Sequence, residues 1–268
     1  MQFPFELTKS EAAVSDDLSE LPLGSRYIAC FGKSKNIAAL EKFTALKSLW
    51  LSGVNEKQAA LVPKMDRVEI LIIHDLRTPT LSILSNFPDL RTLLIWGNTK
   101  ASKLTELSAL KSLRVLGLEH FPKVRSIDEI ASLEGLEMLC LTGSMDTALK
   151  LDTLSPLGNL KHLELLHITN LKVADESLAF VEHLRSLKEL QVSNQFPTEE
   201  YAALKAKCGD VKCTHFAPHI YSGLKCSNCG SGQAMVIGKR KPFLCPVCNP
   251  KKLEKYQSQF DNMVANAT

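Results

Sequence analysis

LKSLWL at residues 46–51 reads as an apolar residue, two others, an apolar residue, one other and an apolar residue. The phrase returns as VEILII at 68–73, LRTLLI at 90–95, LRVLGL at 113–118, LEMLCL at 136–141, LKHLEL at 160–165 and LKELQV at 187–192. Fainter copies stand at 25–30 and 208–213. Within Leu49-Trp50-Leu51 the apolar residues alternate with period 2, so the phrase predicts a short strand with Leu49 and Leu51 inward and Trp50 outward. Between phrases, the triplets Leu104/Leu107/Leu110 and Ile127/Ile130/Leu133 are spaced by three, which suits a tight helical turn. One such unit cannot bury its apolar face alone. Stacked units share a core, so the repeat predicts a solenoid with a parallel sheet of about nine strands.

The phrase and its period resemble the leucine-rich repeat, in its short class of about 22 residues, across residues 20–216. The resemblance implies a horseshoe whose strands line the concave face and whose surface binds other proteins. It also implies Asn or Cys at the ninth position of each unit. The chain has Val54, Leu76, Asn98, Phe121, Ser144, Ile168, Gln195 and Phe216 there, so only Asn98 conforms.

In this register the third, fifth and seventh residues of each phrase face outward. They include Tyr27, Phe31, Trp50, Ile70, Ile72, His74, Leu94 and Trp96, a predicted apolar wall holding both tryptophans of the protein. Exposed apolar patches of this kind mark binding sites, and Trp and Tyr are enriched at binding hot spots. The wall is therefore read as a docking face for a protein partner. The alternative is that the amino-terminal segment, residues 1–19, covers part of it with Phe3, Phe5 and Leu7. Farther along, the same register places His162, Glu164, Glu189 and Gln191 on the face and sets His162 and Glu164 beside Cys140. With no oxyanion hole and no phosphate loop evident, this trio carries no catalytic reading, and the chain is read as a non-enzyme.

Residues 217–250 differ in kind. Cys226 and Cys229 form one C-x-x-C pair, and Cys245 and Cys248 another, fifteen residues on. Two such knuckles point four thiolates at one centre, a pattern for tetrahedral zinc, with an iron centre as the competing occupant. Residues 234–237 and 242–244 can pair around the turn at Gly238, and this module resembles a zinc ribbon. Because all four positions are thiolates, the resemblance implies a closed, structural site. Cys30, Cys208 and Cys213 fall on inward positions and read as core.

Residues 214–268 carry 7 Lys+Arg against 2 Asp+Glu, whereas the rest of the chain is nearly balanced. Lys239, Arg240 and Lys241 at the hairpin tip thus suggest a second reading, contact with nucleic acid, in which the ribbon holds DNA or RNA and the repeats recruit a protein. Residues 251–268, preceded by Asn249 and Pro250, predict an amphipathic helix with Leu253, Tyr256, Phe260, Met263 and Val264 on one face. Nothing reads as a signal peptide or a membrane span, and the cysteine usage suggests a reducing, cytoplasmic setting.

Overall fold

The computed structural model describes residues 12–267. The phrases become strands β2 (Tyr27–Phe31), β3 (Ser48–Ser52), β4 (Ile70–His74), β5 (Thr92–Trp96), β6 (Val115–Glu119), β7 (Met138–Thr142), β9 (Leu165–Thr169) and β11 (Glu189–Val192). With the short edge strand β1 (Ala13–Val14) they make one nine-stranded sheet, in which every pairing is parallel and neighbours follow chain order. The register aligns the leucines: Leu49 lies opposite Leu71, Leu71 opposite Leu93, Leu93 opposite Leu116 and Leu116 opposite Leu139. These side chains are fully buried and form a continuous core along the array. A parallel pair needs a crossover, and the triplets supply it in little length. Short 3₁₀ turns at Ser82–Asn86, Thr105–Ala109 and Asp128–Ser132 carry the chain back along the outer side. Helix α1 (Glu56–Ala59) does this in one unit, capped reciprocally by Asn55 and Gln58.

Asn98 plays the ladder role that the resemblance implies. It is buried, its Nδ2 donates to the Thr78 carbonyl (3.1 Å), and its Oδ1 accepts from the N–H groups of Lys100 and Ala101 (2.9 and 2.8 Å). Val54, Leu76 and Phe121 fill the equivalent places with buried apolar bulk.

One unit differs from the sequence-based register. Residues 160–168 contain the phrase twice, as Leu160/Leu163/Leu165 and as Leu163/Leu166/Ile168, and the sheet uses the second. Leu160 instead closes the turn at Ser155–Asn159, its N–H bonding to the Leu157 carbonyl as those of Leu110 and Leu133 do three residues before their own phrases. His162 and Glu164 consequently lie exposed ahead of the strand, and Leu165, His167 and Thr169 take the outward positions. The added length of the connections before and after β9 goes into a second, two-stranded parallel sheet, β8 (Leu149–Leu151) with β10 (Leu171–Val173).

The faint last phrase is not a strand. Helix α2 (Thr198–Lys207) closes the array, and residues 208–213 contribute only one bridge, Glu189 to Lys212. Cys208 and Cys213 are half-buried against the core, while Cys30 is fully buried.

Strands β12 (His219–Lys225), β13 (Gly232–Val236) and β14 (Phe243–Leu244) then form a small antiparallel sheet, with Ala234 opposite Leu244 as the hairpin reading requires. Helix α3 (Pro250–Ala267) starts at the expected proline and packs along α2. Its Leu253 is buried in the small sheet, whereas Phe260 is buried in the solenoid core. The module therefore covers the end of the array. Among the described residues no helix is long and apolar enough to cross a membrane.

Candidate functional site

The two knuckles bring Cys226, Cys229, Cys245 and Cys248 together, with all four sulfurs within 4.8 Å of one another. The chain turns tightly at each pair: the Gly230 N–H bonds to the Cys226 carbonyl (2.9 Å) and the Asn249 N–H to the Cys245 carbonyl (2.8 Å). The Sγ atoms of Cys226 and Cys248 are 3.9 Å apart, and those of Cys229 and Cys245 are 3.4 Å apart. A tetrahedron with Zn–S bonds of about 2.3 Å requires sulfur–sulfur separations of ~3.8 Å, so the donor set fits a four-coordinate ion.

The electrostatics of the cluster point the same way. Hydrogen bonds from Ser231, through its side chain and N–H, pull the Cys229 thiol down to about 6. N–H groups of Asn228 and Cys229 lower Cys226 as well. The neighbouring Cys229 sulfur in turn pushes Cys248 up to about 12. Thiolates this close oppose one another's ionisation, and a bound cation removes the conflict.

The module is seated on the solenoid through its hairpin turn. Asn194 donates from Nδ2 to the Val236 carbonyl (2.9 Å), and its Oδ1 accepts from the Gly238 N–H (2.6 Å). The Thr198 hydroxyl donates to the Ile237 carbonyl (3.0 Å), and the Lys239 N–H bonds to the Phe196 carbonyl (2.7 Å). Ile237 is fully buried in the solenoid core. Gly238 has φ +123°, and a Cβ there would lie 2.0 Å from the Thr198 hydroxyl oxygen. Only glycine fits this contact.

The three basic residues at the tip have different surroundings. Lys239 forms an ion pair with Glu176, Lys241 lies over the Tyr256 ring at 5.5 Å, and Arg240 is exposed.

On the outward face of the sheet, Trp50 of β3 and Trp96 of β5 meet across β4, with ring centroids 5.6 Å apart. Tyr27 and Ile70 are half-buried beside them, Phe31 and His74 are exposed, and Ile72 and Leu94 are buried. A 300 Å³ cavity lies among Val14, Ala29, Phe31, Trp50, Ser52 and His74. A second, of 580 Å³, lies farther along between Trp96, Glu119, Cys140 and His167. Cys140 is paired with His167 in the sheet, not with His162 or Glu164. Burial and the nearby Glu119 carboxylate push its thiol up to about 12, and burial holds His167 below the ordinary histidine range. A thiol raised in this way is a poor source of thiolate, and the His167 ring has the Thr169 hydroxyl 3.2 Å away. The overlapping phrase hid His167 from sequence reading, and only the turn-closing role of Leu160 discriminates the two frames. The residues proposed to cover the face, Phe3, Phe5 and Leu7, lie outside those described.

No family model matches the chain, and no curated protein does. Among solved structures it is similar to an internalin of Listeria monocytogenes at 18% identity and TM-score 0.47, covering 66% of this chain and 63% of that one. A second Listeria internalin is 19% identical, with TM-score 0.44 and coverage of 60% and 68%. A leucine-rich repeat protein of Leptospira interrogans is 19% identical, with TM-score 0.35 and coverage of 67% and 64%. The chain thus spans less than two thirds of the first of these. Its own strand order and leucine register carry the architectural conclusion: a leucine-rich repeat solenoid, closed at one end by a small antiparallel module that bears four clustered cysteines.

Proposed function

We propose that this protein is a non-catalytic docking module that holds a protein partner on its concave face, with one structural zinc ion in the terminal ribbon. The observation that carries the docking reading is the Trp50–Trp96 contact on the outward face of the sheet. Large aromatic groups on the outward row, flanked by Tyr27, Phe31 and Ile70, supply the anchors that protein interfaces concentrate their energy in. The rigid parallel sheet beneath them holds those anchors at fixed spacing, which limits the ordering cost of association.

Zinc is the occupant that the four-thiolate set favours, because a borderline-soft ion of tetrahedral habit matches the donors and their spacing. With no position left open, the ion would fold the ribbon and do no chemistry. A reducing setting, the cytoplasm, suits a chain that uses thiols in this way.

The test is direct. Trp50→Glu with Trp96→Glu should abolish capture of the partner while the far-ultraviolet spectrum stays unchanged, and undiminished capture would end the docking reading. Elemental analysis of freshly purified protein should give about one zinc per chain by the donor count. Protein carrying neither zinc nor iron would overturn the metal centre.

A nucleic-acid reading rests on the basic tip and on Lys225, Lys251 and Lys252, all exposed. It ranks second because Lys239 and Lys241 already have a carboxylate and an aromatic ring as neighbours. It requires salt-sensitive binding that disappears when Lys239, Arg240 and Lys241 become Glu.

A further inference from the structure

The second sheet stops after two strands. Across β8 and β10, Leu149 lies opposite Leu171 and Leu151 opposite Val173, and the Ala174 N–H bonds to the Leu151 carbonyl (2.9 Å). Backbone groups alternate in direction along a strand, so Lys172 and Ala174 turn theirs toward β8 while Leu171 and Val173 turn theirs away. A third strand would lie on that far side. The next unit does not supply one, because the chain leaves β11 and enters α2 at Thr198. Substitutes cover part of the edge. Gln195 Oε1 accepts from the Leu171 N–H (3.1 Å), and the Glu176 N–H bonds to the Val173 carbonyl (3.3 Å). Gln195 Nε2 is left buried without a partner, and among the described residues the Val173 N–H and the Leu171 carbonyl have none either.

Beside this edge lies a further cavity of 580 Å³, bounded by Leu171 and Val173, by Gln195 and Phe196, and by Lys239 and Arg240 of the ribbon turn. The turn is a fixed wall, since the Lys239 N–H is bonded to the Phe196 carbonyl (2.7 Å) and Ile237 is anchored in the solenoid core. Of the charged groups that line the cavity, Glu176 is paired with Lys239. Lys172 and Arg240 are exposed, and among the described residues neither forms an ion pair, even with Glu199 in the adjoining hollow.

An open strand edge is a template for an extended peptide. One residue of a segment parallel to β10 satisfies both free groups, donating to the Leu171 carbonyl and accepting from the Val173 N–H, as Lys172 does between Leu149 and Leu151. The two uncompensated cations favour carboxylates on that segment and disfavour lysines. We propose that the β10 edge takes an extended acidic segment of a protein partner as its third strand. This surface shares no residue with the aromatic wall, so it is a second binding site, independent of the docking reading for that wall.

The test is a titration of the full chain with the blocked peptide acetyl-Glu-Val-Glu-Val-Glu-amide, following the Val173 amide by nuclear magnetic resonance. The comparison probes are the same peptide with lysine for glutamate, the acidic peptide with N-methylated backbone, inorganic phosphate and a single-stranded DNA oligonucleotide. The acidic peptide should shift the Val173 amide saturably and slow its exchange with solvent, because the N–H gains an acceptor. The lysine and N-methylated peptides should bind at least about fivefold more weakly. Lys172→Gln with Arg240→Gly removes both cations from exposed positions, and glycine accepts the φ of +60° at 240; affinity should fall about fivefold. Trp50→Glu with Trp96→Glu should leave peptide binding unchanged, which separates this site from the aromatic wall. Equal binding of the lysine or N-methylated peptide would overturn the proposal, as would indifference to the double cation variant. A Val173 amide that never moves, or that is already protected before peptide is added, would overturn it as well. Displacement of the peptide by phosphate or DNA at matching concentration would assign the cations to a phosphate-bearing ligand, and loss of binding in the double Trp variant would put the peptide on the aromatic wall; either result sinks the third-strand reading.

Discussion

Asn194 is the polar hinge between solenoid and ribbon, and replacing it by alanine measures how far the two fold as one body. Its side chain makes two hydrogen bonds to the hairpin turn, one to the Val236 carbonyl and one from the Gly238 N–H. Both hairpin residues are buried, so truncation leaves a carbonyl and an amide without these partners in a place water reaches poorly. Each such loss costs about 1–3 kcal/mol, and Asn194→Ala should therefore destabilise the protein by roughly 2–6 kcal/mol. Asn194→Asp keeps the acceptor for Gly238 but sets a carboxylate oxygen against the Val236 carbonyl, so it should cost at least as much as alanine. Urea unfolding monitored by circular dichroism reads the change. With a slope of about 3 kcal/mol per molar, the midpoint for alanine should fall by roughly 1–2 M. The Gly238 amide should also exchange with solvent faster, since its acceptor is gone. A midpoint within experimental scatter of the parent, with the Gly238 amide exchanging no faster, would refute the reasoning: ribbon and solenoid would then be independent units whose contact contributes nothing.

Other perturbations test other parts of the structure. Gly238→Ala should cost about 1–3 kcal/mol, because φ +123° is unfavourable for an L side chain and the new Cβ meets Thr198; calorimetry will show whether the melting temperature falls. Leu93→Ala removes a fully buried side chain from the middle of the array and should destabilise it by about 2–5 kcal/mol in chemical denaturation. Removing metal with a chelator should loosen the ribbon and, because Ile237 and Phe260 belong to the solenoid core, also speed amide exchange in α2; unchanged exchange there would separate metal from core. At pH 8 the Cys140 thiol, pushed up to about 12, should alkylate on the order of a thousandfold more slowly than a free thiol, as mass spectrometry of iodoacetamide-treated protein would report.

Much of this was legible from spacing. The recurrence of two inward leucines around one outward residue predicts parallel stacked strands, because period 2 is a local property of the chain and stacking is the only way each unit buries its leucines. The cysteine pairs were equally local: a C-x-x-C knuckle turns within four residues, so its donors are recognisable before the partner knuckle is placed. The reading failed at residues 160–168, where the phrase fits in two frames. Local periodicity cannot choose between frames that both alternate apolar residues. The choice was made by Leu160 closing the preceding turn, which needs the neighbouring units in place.

What the sequence by itself determined, then, is the solenoid, the four cysteines that cluster and the outward position of both tryptophans, all consequences of short-range spacing. Only the tertiary structure decided that Trp50 and Trp96 touch, that His167 rather than His162 faces Cys140, and that the ribbon turn inserts Ile237 into the solenoid and pairs Lys239 with Glu176. These are contacts between residues 27 to 63 positions apart, or a choice of frame enforced by such contacts. They depend on how whole units stack, which no local period encodes.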